Sequence, residues 1–302
     1  MKKLTVFTAP KPFVDPHIAI IQRNGIQSWL QMGSDVEVLL IGDEGGMAET
    51  AAQLGVSHLK DVRQNKQGTP LVSSIFQVAR EAAQTDLLLF ANTDILLFPD
   101  TLEFALKTVQ QAKEFVLMGQ RYDLDITQPI DFSSGWPQRL RAEVKARGRL
   151  HPLGGSDYFI FPRYLFTHIP DFAIGRAGWD NWMIYHAVTQ PWPAINATPS
   201  LMAVHQNHDY SHLADDQNHQ RHPETFANAE LAGGMRKMYM LLDVDHELVG
   251  GEIRPARWNL PRFLRGLERR LQTDALVGRG PRWLLLRQVR RLRRALAHSE
   301  AN

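Results

Sequence analysis

Leu87-Leu88-Leu89-Phe90-Ala91-Asn92-Thr93-Asp94-Ile95 is the stretch on which the reading of this chain turns. A continuous apolar run ends abruptly in Asn-x-Asp. Such a run reads as a strand buried on both faces of a parallel sheet. Open α/β sheets place ligands beyond the C-terminal ends of their strands. An Asp at that end can bind a hard divalent cation through oxygen, and the cation can in turn hold a diphosphate. The alternative is that Asn92 and Asp94 only terminate the strand, as polar turn residues do.

Working outward, strands are expected at Leu4–Thr8, Val36–Ile41, Ser57–Val62 and Phe115–Gly119, with helices at 18–32, 47–54, 69–83 and 100–112. Thr69 reads as the cap of its helix and Pro70 as its first residue. The alternation predicts an α/β fold, a doubly wound and mainly parallel sheet with helices on both faces. Residues 120–155 lose the pattern and read as a long binding loop. Beyond them a strand is expected at Tyr158–Phe161, a helix at Trp179–Val188 and a strand at Leu201–Val204.

With 302 residues and a hydrophobic fraction of 44%, the chain can bury a full core of the ordinary soluble kind. It has no cysteine, which excludes disulfides, zinc–thiolate sites and a cysteine nucleophile. Leu4-Thr5-Val6-Phe7 is too short for the apolar region of a signal peptide, so a cytoplasmic location is expected. The net charge of +2 hides an asymmetry. Residues 254–298 hold 13 Arg against only Glu268 and Asp274, a net of +11, while residues 1–253 carry −8. The expected division is therefore a mildly acidic body at 1–253 and an arginine-rich helical tail at 254–302. In the tail, Leu260, Phe263, Leu264, Leu267 and Leu271 keep helical spacing, as do Leu285, Val289, Leu292 and Leu296, with arginines expected on the opposite faces. Basic amphipathic helices lie on anionic membrane surfaces, so a peripheral position on the inner face is expected. Packing on the body, an oligomer contact and RNA phosphate binding are the alternatives; no nucleic-acid partner is expected.

Four constellations can carry chemistry. The Thr8–Phe13 loop, opening with Thr8-Ala9-Pro10, could receive a base or ribose. Asp43, after the second strand, could accept hydrogen bonds from either. Asn92-Thr93-Asp94 is the third. The fourth is Gly178-Trp179-Asp180-Asn181-Trp182, where aromatic walls exclude water and raise a carboxylate toward the range of a useful base. A helix cap is the other reading of Asp180. His205, His208, His212, His219 and His222 cluster after the last expected strand, and His205-x-x-His208 allows one metal to be ligated from a turn. Motifs for a P-loop, a dinucleotide fold, an α/β-hydrolase and a zinc protease are all missing.

In this order, Asp43, Asn92-Thr93-Asp94, Gly178-Trp179-Asp180-Asn181 and His205 resemble the GT-A nucleotide-sugar glycosyltransferases, family 2 and its bacterial relatives above all. The resemblance covers residues 4–215. It implies that Asp94, with His205 and then His208, binds manganese or magnesium; that Thr8, Ala9, Pro10, Asp43, Asn92 and Thr93 hold the nucleotide; and that Asp180 is the base. Asn92 and Asn181 stand where the family usually has acids. Asp157, Gly155, Trp179 and Asn181 are expected at the sugar and acceptor sites, with Asp123 and Trp136 nearby. The implied activity is metal-dependent, inverting transfer of a sugar from a nucleotide-diphosphate donor to a glycan, lipid-linked or other hydroxyl acceptor. A sugar nucleotidyltransferase is disfavoured by the lack of a G-x-G-T-R loop. A non-catalytic binding module on the same scaffold and a histidine-ligated metallohydrolase stay open.

Overall fold

The computed structural model describes residues 2–208, 222–274 and 278–299. The main sheet contains β1 (Leu4–Thr8), β2 (Val36–Ile41), β3 (Ser57–Leu59), β4 (Leu87–Ala91), β6 (Val116–Met118), β9 (Tyr158–Pro162), β10 (Ala194–Asn196), β12 (His246–Val249) and β13 (Glu252–Pro255). Its strand order is β13-β12-β10-β6-β9-β4-β1-β2-β3. All run in one direction except β9 and β13. This is the doubly wound, mainly parallel sheet that the sequence predicts.

Strand alternation divides the core in two. Phe7, Leu39, Leu88, Phe90, Phe159 and Phe161 face one side, against Phe76 of α3 (Val72–Ala82) and Trp179 and Met183 of α6 (Trp179–Val188). Leu4, Val6, Val38, Leu87 and Leu89 face the other, against Trp29 of α1 (Pro16–Leu30), Met47 of α2 (Met47–Leu54) and Ala105 of α4 (Asp100–Gln111). The central strands β1, β2, β4 and β9 carry apolar residues at both parities because both of their faces are covered by helices.

A second, short sheet decides where the site lies. It joins β5 (Ile95–Leu97), β11 (Ala203–Gln206), β7 (Tyr122–Leu124) and β8 (Arg149–Leu150), in that order. His205 is in register with Ile95 on one side and Asp123 on the other. Helix α1 pins this sheet. Trp29 Nε1 donates to Ile95 O at 3.0 Å, and Gln206 Nε2 donates to Ile21 O at 2.8 Å. Gly25 allows the approach: a Cβ there would stand 2.1 Å from the carbonyl oxygen of Thr93.

Three expectations need correction. Residues 120–155 are not a plain loop: besides β7 and β8 they hold α5 (Trp136–Arg147), which buries only Trp136, Leu140 and Val144. That stripe is too narrow against so many polar residues to announce a helix. Trp136 does not reach the site; its ring stacks on Phe98 with centroids 5.5 Å apart. Helix α3 starts at Val72, not Thr69, because Leu71 is extended and bridges to Ala173, while Val72 N donates to Phe172 O.

The tail forms α8 (Leu260–Leu271) and α9 (Pro281–Ser299), packed together. Its arginines do not all face outward. Arg265 bridges Asp243 at 2.8 Å and Glu268 at 2.9 Å, and Arg293 reaches the other oxygen of Glu268 at 2.9 Å, all of them buried. Arg262 donates to the carbonyls of Leu242 and Val244. These contacts dock α8 on the turn at Leu241–Asp243. Trp258, Phe263, Leu284, Leu285 and Leu292 stay exposed beside the remaining arginines. No helix among the described residues is long and apolar enough to cross a membrane.

Candidate active site

The strand ends β1, β2 and β4 and the start of antiparallel β9 meet at one edge of the main sheet, under the short sheet. A cavity of about 530 Å³ opens there. Asp94, in the turn from β4 to β5, lies at its floor. His208 Nε2 stands 3.2 Å and His205 Nε2 3.7 Å from Asp94 Oδ2. One ligand atom from each of the three residues falls within a 4.8 Å cluster. Burial pushes the Asp94 pKa up, but His205, His208 and Lys11 outweigh it and hold the carboxyl well below the usual range. Burial opposes charge on His205, while Asp94 and Asp123 raise its pKa.

The donor set fits a divalent cation. Asp94 Oδ1 is buried and has no hydrogen-bond partner among the described residues, so a carboxylate oxygen is left over for a ligand. Two imidazoles and a carboxylate suit Mn2+ better than Mg2+, which prefers oxygen throughout. His222 lies apart, capping α7 (Pro223–Leu231), and His212 and His219 lie outside the described residues.

Asp180 sits at the start of α6, whose left-handed Gly178 turns the chain into the helix. Burial, then Asp157, raises its pKa to about 6, against the helix-start amides that pull it down. Gly155 makes room for this carboxylate: a Cβ there would stand 1.9 Å from Asp180 Oδ2. Gly155 is therefore a neighbour of Asp180 and not a lining residue of the cavity. Trp179 lines the cavity and packs edge-on against Phe90, but Trp182 turns away to stack on His186. Asn181 also lines the cavity, though its amide donates to Gly154 O and Tyr239 O, so it ties two loops together.

Asp157 joins the two halves of the cleft. Its Oδ1 accepts from Asn92 Nδ2 at 2.8 Å, and its Oδ2 pairs with Arg121. Asn92 is thus engaged with Asp157 beside the Asp94–His205–His208 cluster. Arg121 also pairs with Asp123 Oδ1 at 2.9 Å, and Asp123 Oδ2 lies 2.7 Å from His151 Nδ1.

The upper wall is formed by Ala9, Pro10, Lys11, Glu44 and Arg176. Thr8 lies behind it, its hydroxyl 2.8 Å from that of Thr93. Asp43 is not in the wall: its carboxylate is exposed and lies 3.4 Å from Lys60 Nζ. The turn presents Glu44 instead. Lys11 lies in the Thr8–Phe13 loop and Glu44 beside Asp43, but neither is singled out in the sequence, and Arg121 and Arg176 escape it altogether. A cation in a proline-rich loop or after a glycine has no periodic signal, and only the fold turns it inward.

No protein-family model matches the chain, and no curated protein matches it in sequence. Among solved structures it is similar to S. aureus TarS 1–349 in complex with UDP-GlcNAc, at a TM-score of 0.47 and 12% identity, over 76% of this chain and 65% of that one. The chain thus spans just under two thirds of that structure's length. It is also similar to glucosyl-3-phosphoglycerate synthase from Mycobacterium tuberculosis in complex with Mn2+, UDP and glucosyl-3-phosphoglycerate, at a TM-score of 0.46 and 15% identity, over 86% of this chain and 88% of that one.

Proposed function

We propose that this chain is a metal-dependent glycosyltransferase that moves a sugar from a nucleotide-diphosphate donor to a hydroxyl acceptor with inversion. The observation that carries the reading is one cleft that holds both a buried Asp94–His205–His208 donor set and a carboxylate, Asp180, raised to about 6. Bound Mn2+ at the donor set would neutralise the charge of a leaving diphosphate. Lys11 brings further positive charge to the same cavity, while Arg176 beside it is paired with Glu224 at 2.7 Å. Asp180 takes the acceptor proton: buried and next to Asp157, it holds a proton more readily than an ordinary carboxylate yet is largely ionised at neutral pH.

The test is thermal stabilisation. UDP-sugars, GDP-sugars and their diphosphates are screened with and without Mn2+, followed by transfer to simple glycoside acceptors. Ligands at 100 times their Kd raise stability by about 2.7 kcal/mol, easily read as a shift in Tm. A Mn2+-dependent shift is expected for one nucleotide class. No shift with any of them overturns the reading.

The acceptor side is read from the tail. We place a glycan or lipid-linked acceptor at an anionic membrane surface. The exposed Trp258, Phe263, Leu284, Leu285 and Leu292 lie among arginines that the ion-pair spine does not use. The full chain is expected to co-sediment with anionic but not with neutral vesicles, and less so at high salt. Trp258→Ala with Phe263→Ala is expected to reduce this. Equal recovery with both vesicle types overturns the membrane placement.

A further inference from the structure

We propose that Asp123 is the positioning residue that orients His205 for metal binding. The inference rests on the metal-binding reading of Asp94, His205 and His208. Strand pairing sets Asp123 of β7 directly beside His205 of β11. The two ring nitrogens of His205 then have different neighbours: Nε2 points toward Asp94, and Nδ1 lies 3.3 Å from Asp123 Oδ1, out of line for a full hydrogen bond. A histidine ligand works with one nitrogen bare and the other protonated, and a carboxylate behind the ring selects which.

Asp123 is itself held in place. Arg121 Nε donates to its Oδ1 at 2.9 Å and His151 Nδ1 lies 2.7 Å from its Oδ2, so both oxygens are fixed from elements other than β11. Arg121 is fixed in turn by Asp157. A carboxylate whose only use was to end a pairing on a short sheet would not need two supports. Here they hold it 3.3 Å from His205 Nδ1. This fills a role that Asp94 cannot, since Asp94 lies on the ligand side of the ring.

The experiment compares Mn2+ binding by wild type, Asp123→Asn and His205→Ala, using calorimetry and Mn2+ electron paramagnetic resonance, with Tm recorded in EDTA. Outer partners of metal ligands change affinity by about 10- to 100-fold. Asp123→Asn is expected to bind Mn2+ that much more weakly, with its metal-free Tm close to wild type. An unchanged affinity in a folded Asp123→Asn overturns the positioning role and leaves the metal site standing. Failure of the wild type to bind Mn2+ overturns the metal reading, and this inference with it. A second measurement needs no variant. In the Cd2+-loaded wild type, ¹⁵N NMR is expected to show His205 bound through Nε2 with Nδ1 protonated; coordination through Nδ1 overturns the proposal.

Discussion

Asp94→Ala is expected to abolish the Mn2+ dependence of sugar transfer and to lower the rate on the order of 10³-fold. The figure follows from several kcal/mol of charge stabilisation by a bound cation, with each 1.36 kcal/mol worth about a factor of ten. The fold is expected to hold. The turn that carries Asp94 is pinned through its backbone, by Gln206 Nε2 to Asp94 O and by Trp29 Nε1 to Ile95 O, and Asp94 Oδ1 makes no hydrogen bond among the described residues. Calorimetric Mn2+ titration and initial rates at several metal concentrations check this. A variant that still responds to Mn2+ like the wild type would move the cation elsewhere.

Asp180→Asn is expected to bind donor as the wild type does but to transfer about 10²- to 10⁴-fold more slowly, the usual contribution of a general base. The amide fits the space over Gly155 that the carboxylate occupies, so shape is kept while basicity is lost. The sign of the pH dependence follows from the raised pKa. A base works when deprotonated, so wild-type kcat/KM is expected to be level above about pH 6 and to fall below it, as Asp180 takes up its proton. The Asn variant is expected to lack that acid limb. Initial rates from pH 4.5 to 8 with acceptor well below its KM distinguish the two profiles. An acid limb that persists unchanged in Asp180→Asn would assign the base to another group.

Much of the fold is legible in the chain because local signals and tertiary structure agree. The runs at Leu4–Thr8, Val36–Ile41 and Leu87–Ala91 are apolar at both parities, and each lies in the two-sided sheet. Agreement fails where long-range pairing overrides the local preference. Pro70 looks like a helix start, but the bridge from Leu71 to Ala173 keeps that segment extended. The short sheet is hidden for the same reason: β7 and β8 are too brief to show periodicity and exist by pairing with β11 and each other. The candidate site divides in the same way. Asp94, Asp180, His205 and His208 are legible because each sits at the end of an element, in a compact motif. Asp43 and Glu44 are adjacent acids after one strand, and only the turn geometry tells which faces inward. Asp123, His151 and Arg121 carry no motif at all; what unites them is a sheet that no sequence window contains.

The short sheet also makes the site a clasp between distant lengths of chain. Asp94 enters it from the first half and His205 from the far side of β6, β9 and β10, so they cannot meet until that whole intervening loop is closed. Closing it costs entropy, and contacts of such large sequence separation form slowly. A divalent cation shared by Asp94 and His205 is then a non-covalent cross-link across the span, present only in the native topology. Its binding energy adds to the stability of the assembled protein, so metal supply would govern how long the two halves stay fastened as well as how fast they work.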